Sequence, residues 1–149
     1  MAAVTLDRDA LAALLPHAGA MCLLDAVESY DGQRIVCTTM QHRNRHNPLA
    51  VDGRIGCVQG IEFAAQAMAI HGALVASPAG VRPSVGWLAS IRDCVLHWDR
   101  IDTHAGPLRV SATRVAAAGG ALMYGFAIDA GPVRVITGTA TVVLGDRAA

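Results

Sequence analysis

The sequence predicts an α+β protein in which one long central helix is wrapped by a curved antiparallel sheet. From Cys57 to about Val75 the residues are apolar nearly all round a helical wheel, so the helix should be buried on most sides. After residue 84, several segments alternate apolar and polar residues, as half-buried strands do. A single helix with this many strands favours a layered arrangement with the helix against one sheet.

Turn and capping residues bound the elements of the first part of the chain. A short N-terminal helix, capped by Thr5 or Asp7 and ended by Pro16, would present a leucine face. The segments 21–30 and 34–42 are predicted to be paired strands, because the Asp-Gly dipeptide between them is a common hairpin turn.

The remaining elements follow an irregular loop. Residues 43–56 contain Asn-Pro and Asp-Gly dipeptides, and a long loop in a compact domain is often functional. The long helix comes next, followed by a break at 77–84. Four antiparallel strands are then predicted at 85–98, 108–116, 121–129 and 133–144. There is no internal repeat or domain boundary, so we expect one domain over 1–149.

Composition and charge exclude several classes of protein. The 12 basic residues, all arginine, balance 12 acidic ones, which argues against an electrostatic nucleic-acid binder. The four cysteines show no paired metal spacing and the N-terminus does not resemble a signal peptide, so free thiols in the cytoplasm are expected. The uncharged run 63–81 contains polar residues and many alanines, which favours a buried helix over a membrane span.

Polar residues of the long helix form one line on its surface. Gln59, Glu62 and Gln66 follow the spacing i, i+3, i+7, and His46 lies in the loop upstream. A histidine and a carboxylate in an apolar setting suit general acid/base catalysis, and the free N–H groups of the first helical turn can polarise a carbonyl. Together they fit proton abstraction next to a thioester carbonyl and loss of a β-hydroxyl. The pattern alone also fits a hydrogen-bonded glutamate at the edge of the core.

A metal site is not predicted. His42 and His46 are four residues apart, a spacing that places two ligands on one face only in a helix. The Asn-Pro dipeptide at 47–48 argues against a helix there, and no further ligands cluster nearby.

Four segments together resemble a known enzyme family. They are LLPHAGAMCLLDAV (14–27), HNPL (46–49), GIEFAAQAMAIHG (60–72) and VGWLASIRDCVLHW (85–98). Their order and spacing, over about residues 12–145, resemble the hot-dog 3-hydroxyacyl-(acyl-carrier-protein) dehydratases, especially the branch associated with aryl-polyene clusters. The resemblance implies the hot-dog fold, with a homodimer or a heterodimer with a related hot-dog dehydratase. It also implies active sites at the interface between subunits.

The resemblance assigns roles to individual residues. His46 would abstract the α-proton, and Glu62 of the other subunit's helix would help the β-hydroxyl to leave. The N–H groups of Cys57 and Val58 would hold the thioester oxygen, and Gln66 matches the family's glutamine and would contact the substrate. The acyl chain would arrive on the phosphopantetheine arm of acyl carrier protein, with no other cofactor and no metal.

The sequence departs from the family pattern, and other functions stay open. Leu49 stands where the family has glycine after His-x-Pro, and Gly56-Cys57 replaces Pro-Gly at the helix entrance. A thioesterase of the same fold is one alternative, in which a helix carboxylate directs water at the thioester. A non-catalytic hot-dog subunit that binds acyl carrier protein, or pairs with an active dehydratase, is the other.

Overall fold

The computed structural model describes residues 2–15, 21–76 and 85–145. It contains one long helix, one short helix and seven strands within these residues. The bounds in chain order are β1 Ala2–Leu6, α1 Arg8–Leu14, β2 Ala26–Tyr30, β3 Arg34–Thr39, α2 Gly60–Ala76, β4 Val85–Leu96, β5 Leu108–Ala118, β6 Ala121–Ala130 and β7 Val133–Gly145.

The strands form one antiparallel sheet in the order β1-β2-β3-β5-β6-β7-β4. Because β4 lies at one end of this order, it pairs only with β7 among the described strands. Helix α2 lies against β3, β5 and β6 in the middle of the sheet. The predicted α+β arrangement, one long helix against an antiparallel sheet, is confirmed.

The face of α2 that meets the sheet carries the core residues of the helix. Phe63, Ala67 and Ile70 are fully buried there and pack with strand residues such as Val110 and Ile128. Burial of an aromatic or branched side chain stabilises the fold by about 1.5–3 kcal/mol. Only Glu62 and Ala69 of Gly60–Ala76 are exposed, so the helix is buried on most sides, as predicted.

The N-terminal segment differs in part from the prediction. Strand β1 pairs with β2 through Ala2 and Tyr30, and nothing in the sequence analysis anticipated it. The short helix α1 is present, and its cap is Asp7, whose carboxylate accepts the Ala10 N–H at 3.0 Å. Thr5 lies inside β1 instead. The predicted stop at Pro16 lies outside the described residues.

Both strands of the predicted hairpin are shorter than expected. The pairing of β2 with β3 begins at Ala26 opposite Thr38, so residues 21–25 precede the ladder. After β3 the chain turns into a single turn of 3-10 helix, Gln41–Arg43. Side chains bond several backbone groups of these flanking residues. Gln66 accepts the Leu23 N–H, Thr39 donates to Leu23 O, and Asp25 accepts the Met40 N–H.

The other predicted elements agree closely. Strands β4 to β7 match the four predicted segments within a few residues, although β4 ends at Leu96. The long helix begins as a 3-10 turn at Cys57–Gln59 and continues as α2. The predicted break at 77–84 lies outside the described residues.

The cysteines are free thiols, as predicted. Burial raises the pKa of Cys37 to about 12, so this thiol stays protonated and acts as a core residue. No helix within the described residues is long and apolar enough to cross a membrane. In the same part of the chain, no three side chains of histidine, cysteine or acidic type are grouped as metal ligands.

Candidate functional site

The entrance of α2 offers one backbone N–H group to a ligand. Most amides of the entrance have intramolecular acceptors: Cys57 donates to Asp99 O at 2.9 Å, and Gln59 donates to Gly56 O at 3.0 Å. The Gly60 N–H bonds the carbonyls of the turn before it. Among the described residues, only the Val58 N–H of this turn has no acceptor. A helix start with a free N–H is a site for developing negative charge.

The Cys57 N–H, which the resemblance makes a donor to the thioester oxygen, is therefore occupied by Asp99 O in this chain. The chain that follows β4 runs beside the helix entrance, where the Ile101 N–H also donates to Ile55 O at 2.9 Å. The Asp102 carboxylate accepts the Ile55 N–H at 3.0 Å and pairs with Arg100. The Arg100 guanidinium is the main cause that lowers the pKa of Asp102. These bonds hold the entrance in place and consume the Cys57 donor.

Glu62 lies on the exposed face of α2, in its first turn. It follows Val58 by four residues, so the two lie one above the other on the same face of the helix. Val58 is itself 51% exposed. The Glu62 carboxylate forms no hydrogen bond or ion pair within the described residues. Glu62 and Val58, whose N–H has no acceptor, thus lie on the same exposed face of the helix start.

His46 lies on the loop after β3 and is also exposed. Its backbone N–H donates to Asn44 Oδ1 at 2.9 Å. Its imidazole has no hydrogen-bond partner within the described chain, and no bond joins it to Glu62 there. The two predicted catalytic residues therefore lie on separate elements of one chain. Both side chains are exposed, so another subunit can contact them.

Gln66, the predicted substrate contact, bonds to the backbone of its own chain. Its Oε1 accepts the Leu23 N–H at 2.8 Å, and its Nε2 donates to Met21 O. Both polar atoms of the amide are thereby bound to the backbone before β2. In this single chain, the predicted contact with substrate would require breaking these bonds.

Two residues that position the loop were missed in the sequence analysis. Asn47, which is 4% exposed, donates from Nδ2 to Gln41 O at 2.8 Å and accepts the Leu49 N–H at 2.9 Å. Asp25 accepts the Met40 N–H at 2.7 Å. The only signal for Asn47 was its place in an Asn-Pro turn, where such side chains bond to the backbone nearby.

His42 and His46 do not share a site. His42 is 1% exposed, and its Nε2 lies 2.8 Å from His104 O, whereas His46 is exposed. Since a carbonyl oxygen only accepts, Nε2 of His42 donates. Burial is the main cause that lowers the pKa of His42, which keeps it neutral.

Two open cavities of the described residues lie away from the predicted catalytic residues. One, of about 310 Å³, is lined by the segments before β5 and around the β6–β7 turn, including His104 and Pro107. The other, of about 250 Å³, adjoins it beside Glu28 and Arg109. Neither contains His46 or Glu62. The candidate site of one chain is therefore an open surface rather than an enclosed pocket.

Comparison with solved structures identifies proteins of the same fold. The dehydratase heterocomplex ApeI:P from Xenorhabdus doucetiae matches with a TM-score of 0.80 and 19% identity, covering 95% of this chain and 93% of that chain. A thioesterase from Haemophilus influenzae matches with a TM-score of 0.63 and 13% identity, covering 97% and 94%. A hypothetical thioesterase from Streptococcus pneumoniae, solved with coenzyme A, has a TM-score of 0.58 and 12% identity, covering 83% and 87%.

These likenesses show a fold shared with dehydratases and thioesterases, which agrees with the hot-dog arrangement implied by the resemblance. Comparison with curated protein sequences finds no match. A family model for the ApeP dehydratases matches residues 9–149, nearly the whole sequence. The chain belongs to the ApeP-like dehydratase family.

Proposed function

We propose that this chain takes part in removing water from 3-hydroxyacyl thioesters carried on acyl carrier protein, in fatty-acid or aryl-polyene synthesis. The observation that carries the proposal is the uncovered face at the start of α2, in a chain of a dehydratase family. That face presents the Glu62 carboxylate and the free Val58 N–H together. Elimination needs an acid or base and a donor for the thioester oxygen, and these groups supply both.

In the proposed reaction the imidazole of His46 removes the proton from the carbon next to the thioester carbonyl. The electron pair of that C–H bond forms the new double bond as the β-carbon–oxygen bond breaks. The Glu62 carboxyl gives a proton to the β-hydroxyl, directly or through a water molecule, and the hydroxyl leaves as water. The Val58 N–H stabilises the negative charge that builds on the thioester oxygen. The reaction is redox-neutral, so it requires no cofactor beyond the phosphopantetheine arm of the carrier.

A second subunit completes the site in this proposal, because both groups are exposed in a single chain. A covering surface would exclude water from the reacting groups. The partner is a second copy or a related hot-dog dehydratase. The heterocomplex of two dehydratase chains that shares this fold supports pairing with a relative. The cytoplasm is the compartment that free thiols suggest.

In this proposal the partner pairs with strand β4. It is an edge of the sheet within the described residues, and Trp87 and Leu88 on it are 55% and 41% exposed. The residues that follow it bond to the helix entrance, where the Cys57 N–H meets Asp99 O. A chain that pairs with β4 would therefore lie next to the entrance and could cover Glu62. An open apolar edge strand is a ready place for such pairing.

The test is a dehydration and hydration assay with short 3-hydroxyacyl and enoyl carrier-protein substrates. The chain is measured alone and with a related dehydratase, as wild type, His46→Ala and Glu62→Gln. We expect each substitution to lower kcat roughly a hundredfold or more, the size of a general acid or base contribution. Glu28→Gln is the matched control, because Glu28 is the other glutamate and only forms an exposed ion pair with Arg109.

Other outcomes would point to the alternative functions. Full activity of Glu62→Gln removes this carboxylate from the mechanism. Release of free thiol from an acyl thioester would identify a thioesterase. If the chain raises a partner's activity and neither His46→Ala nor Glu62→Gln changes the rate of the pair, the chain is a non-catalytic subunit.

A further inference from the structure

A continuous path of hydrogen bonds connects the helix that carries Glu62 with the loop that carries His46. The two residues do not touch within one chain, yet each lies close to one end of this path. The path starts at Gln66, one turn after Glu62 on α2, and it crosses the segment 21–25. It ends at the backbone N–H of His46.

At the helix end, the side-chain amide of Gln66 binds two backbone groups of the segment before β2. Its Oε1 accepts the Leu23 N–H at 2.8 Å, and its Nε2 donates to Met21 O. Because a backbone N–H only donates and a carbonyl only accepts, the orientation of the amide is fixed.

From this segment the path continues into the start of the loop. Leu23 O accepts a hydrogen bond of 2.6 Å from the hydroxyl of Thr39, the last residue of β3 before the loop. Two residues later, the Asp25 carboxylate accepts the Met40 N–H at 2.7 Å and the Gln41 Nε2–H at 2.8 Å. Bonds to an ionised acceptor are stronger than neutral ones. Asp25 therefore fixes the point where the chain leaves β3.

Inside the loop, amide side chains carry the path to His46. Gln41 Oε1 accepts the Asn44 Nδ2–H at 3.0 Å, and Asn44 Oδ1 accepts the His46 N–H at 2.9 Å. On the other side of the histidine, Asn47 donates to Gln41 O at 2.8 Å. The backbone of His46 is therefore held through both of its neighbours in the loop.

We propose that Gln66, Asp25 and Gln41 are positioning residues, which set the place of the His46 loop relative to the helix of Glu62. The inference rests on the proposed function, in which both residues act in catalysis. In a paired assembly each chain contributes its His46 and its Glu62. The hydrogen-bonded path fixes the distance between these two residues within each chain. Proton transfer demands such spacing, since a displacement of about 1 Å can lower the rate roughly a hundredfold.

The first experiment measures the path without using activity. Amide hydrogen exchange is followed over residues 44–49 in wild type, Gln66→Ala and Gln33→Ala. Gln33 is an exposed turn residue whose side chain forms no bond within the described chain, so it is the matched control. We expect exchange in the loop to rise several-fold in Gln66→Ala and to stay unchanged in Gln33→Ala. Equal exchange in all three proteins overturns the proposal, even if the chain proves inactive.

The second experiment separates positioning from a general loss of stability. The dehydration assay is run with the partner that gives activity, at a temperature where circular dichroism shows every variant to be folded. We expect Gln66→Ala to lower kcat about tenfold with little change in KM, and Gln41→Ala to do likewise. The double variant should lose little more than either single one, because both act on one path.

The outcomes distinguish this inference from the proposed function. If His46→Ala or Glu62→Gln stays fully active, the proposed function fails, while the exchange experiment still tests the path. If those two variants lose activity but Gln66→Ala keeps the wild-type kcat, the positioning role is wrong. Multiplicative losses in the double variant would also overturn it, since they would indicate two independent effects.

Discussion

The hydroxyl of Tyr124 lies 2.8 Å from Nδ1 of His71, deep between the sheet and the long helix. His71 is fully buried, and its Nε2 lies 2.9 Å from Asp31 O. Because that carbonyl only accepts, Nε2 carries the proton and Nδ1 accepts from the tyrosine. Arg114 donates to the same hydroxyl from Nη2 at 2.9 Å. Every polar atom of the imidazole is therefore satisfied with the ring neutral.

This arrangement predicts a loss of stability in mild acid. Burial is the main cause that lowers the pKa of His71 from its ordinary value of 6.5, and the nearby Arg114 adds to it. The contribution of a depressed histidine is fully present above the unfolded pKa and disappears as the pH falls through the folded pKa. Below 6.5 the free energy of unfolding should therefore fall, by up to about 1.4 kcal/mol per pH unit for each such group.

The measurement is urea unfolding between pH 5 and pH 8 for wild type and His71→Gln. We expect the variant to be less stable at neutral pH and to depend less on pH, because it lacks the titrating ring. His42, whose pKa burial also lowers, contributes to both proteins and cancels in the comparison. Parallel curves for the two proteins would contradict the assignment of the pH dependence to His71.

Sequence patterns predicted the elements whose signal lies within one segment. The strands from β4 onward and the helix α2 show their own periodicity, so their bounds agree within a few residues. The hairpin was predicted too long because the apolar run continues into 21–25, where Gln66 and Thr39 satisfy the backbone in place of a strand. Such bonds join residues far apart in sequence and leave no local signal.

The candidate site shows the same limit. Helical spacing could indicate that Glu62 lies near the start of the long helix, because this depends on neighbouring residues only. It could not indicate that the Cys57 N–H is occupied, since the acceptor is Asp99 O, more than forty residues away. The strand Ala2–Leu6 was missed because its five residues, Ala-Ala-Val-Thr-Leu, show little periodicity of their own.

Two glycines of α2 should respond in opposite ways to the same substitution. A Cβ on Gly60 would lie 3.1 Å from Ile128 Cδ1 and 3.2 Å from Ile136 Cγ2, so Gly60→Ala should force the helix start off the sheet. We expect a loss of about 1–3 kcal/mol from this overpacking. At Gly72 a Cβ meets nothing within 4 Å. Gly72→Ala should stabilise the chain by up to about 1 kcal/mol through helix propensity.

Thermal and urea unfolding of both variants check this pair, with each serving as the control for the other. Equal changes of the same sign would show that helix propensity, rather than contact with the sheet, governs both positions.

Removal of the free N–H at Val58 should lower the dehydratase activity although His46 and Glu62 are both kept. Proline lacks an N–H and is tolerated in the first turn of a helix, so Val58→Pro deletes the donor. We expect kcat of the dehydration to fall roughly a hundred- to a thousandfold, as for loss of one oxyanion donor. Val58→Ala keeps the N–H and is the control for the exposed side chain. The donor assignment is wrong if both folded variants show the same rate.

Strand β4 predicts association through its open edge. Its apolar residues Val95 and Leu96 are 47% and 46% exposed, and the strand has only one partner, β7, within the described sheet. A lysine on an edge strand opposes pairing with another chain. We therefore expect Val95→Lys to weaken association with a second copy or with a related dehydratase, as measured by analytical ultracentrifugation. Val115→Lys is the control, because Val115 is 60% exposed on β5, which lies inside the strand order rather than at its edge. Association that survives Val95→Lys but not Val115→Lys would place the interface on the opposite part of the sheet.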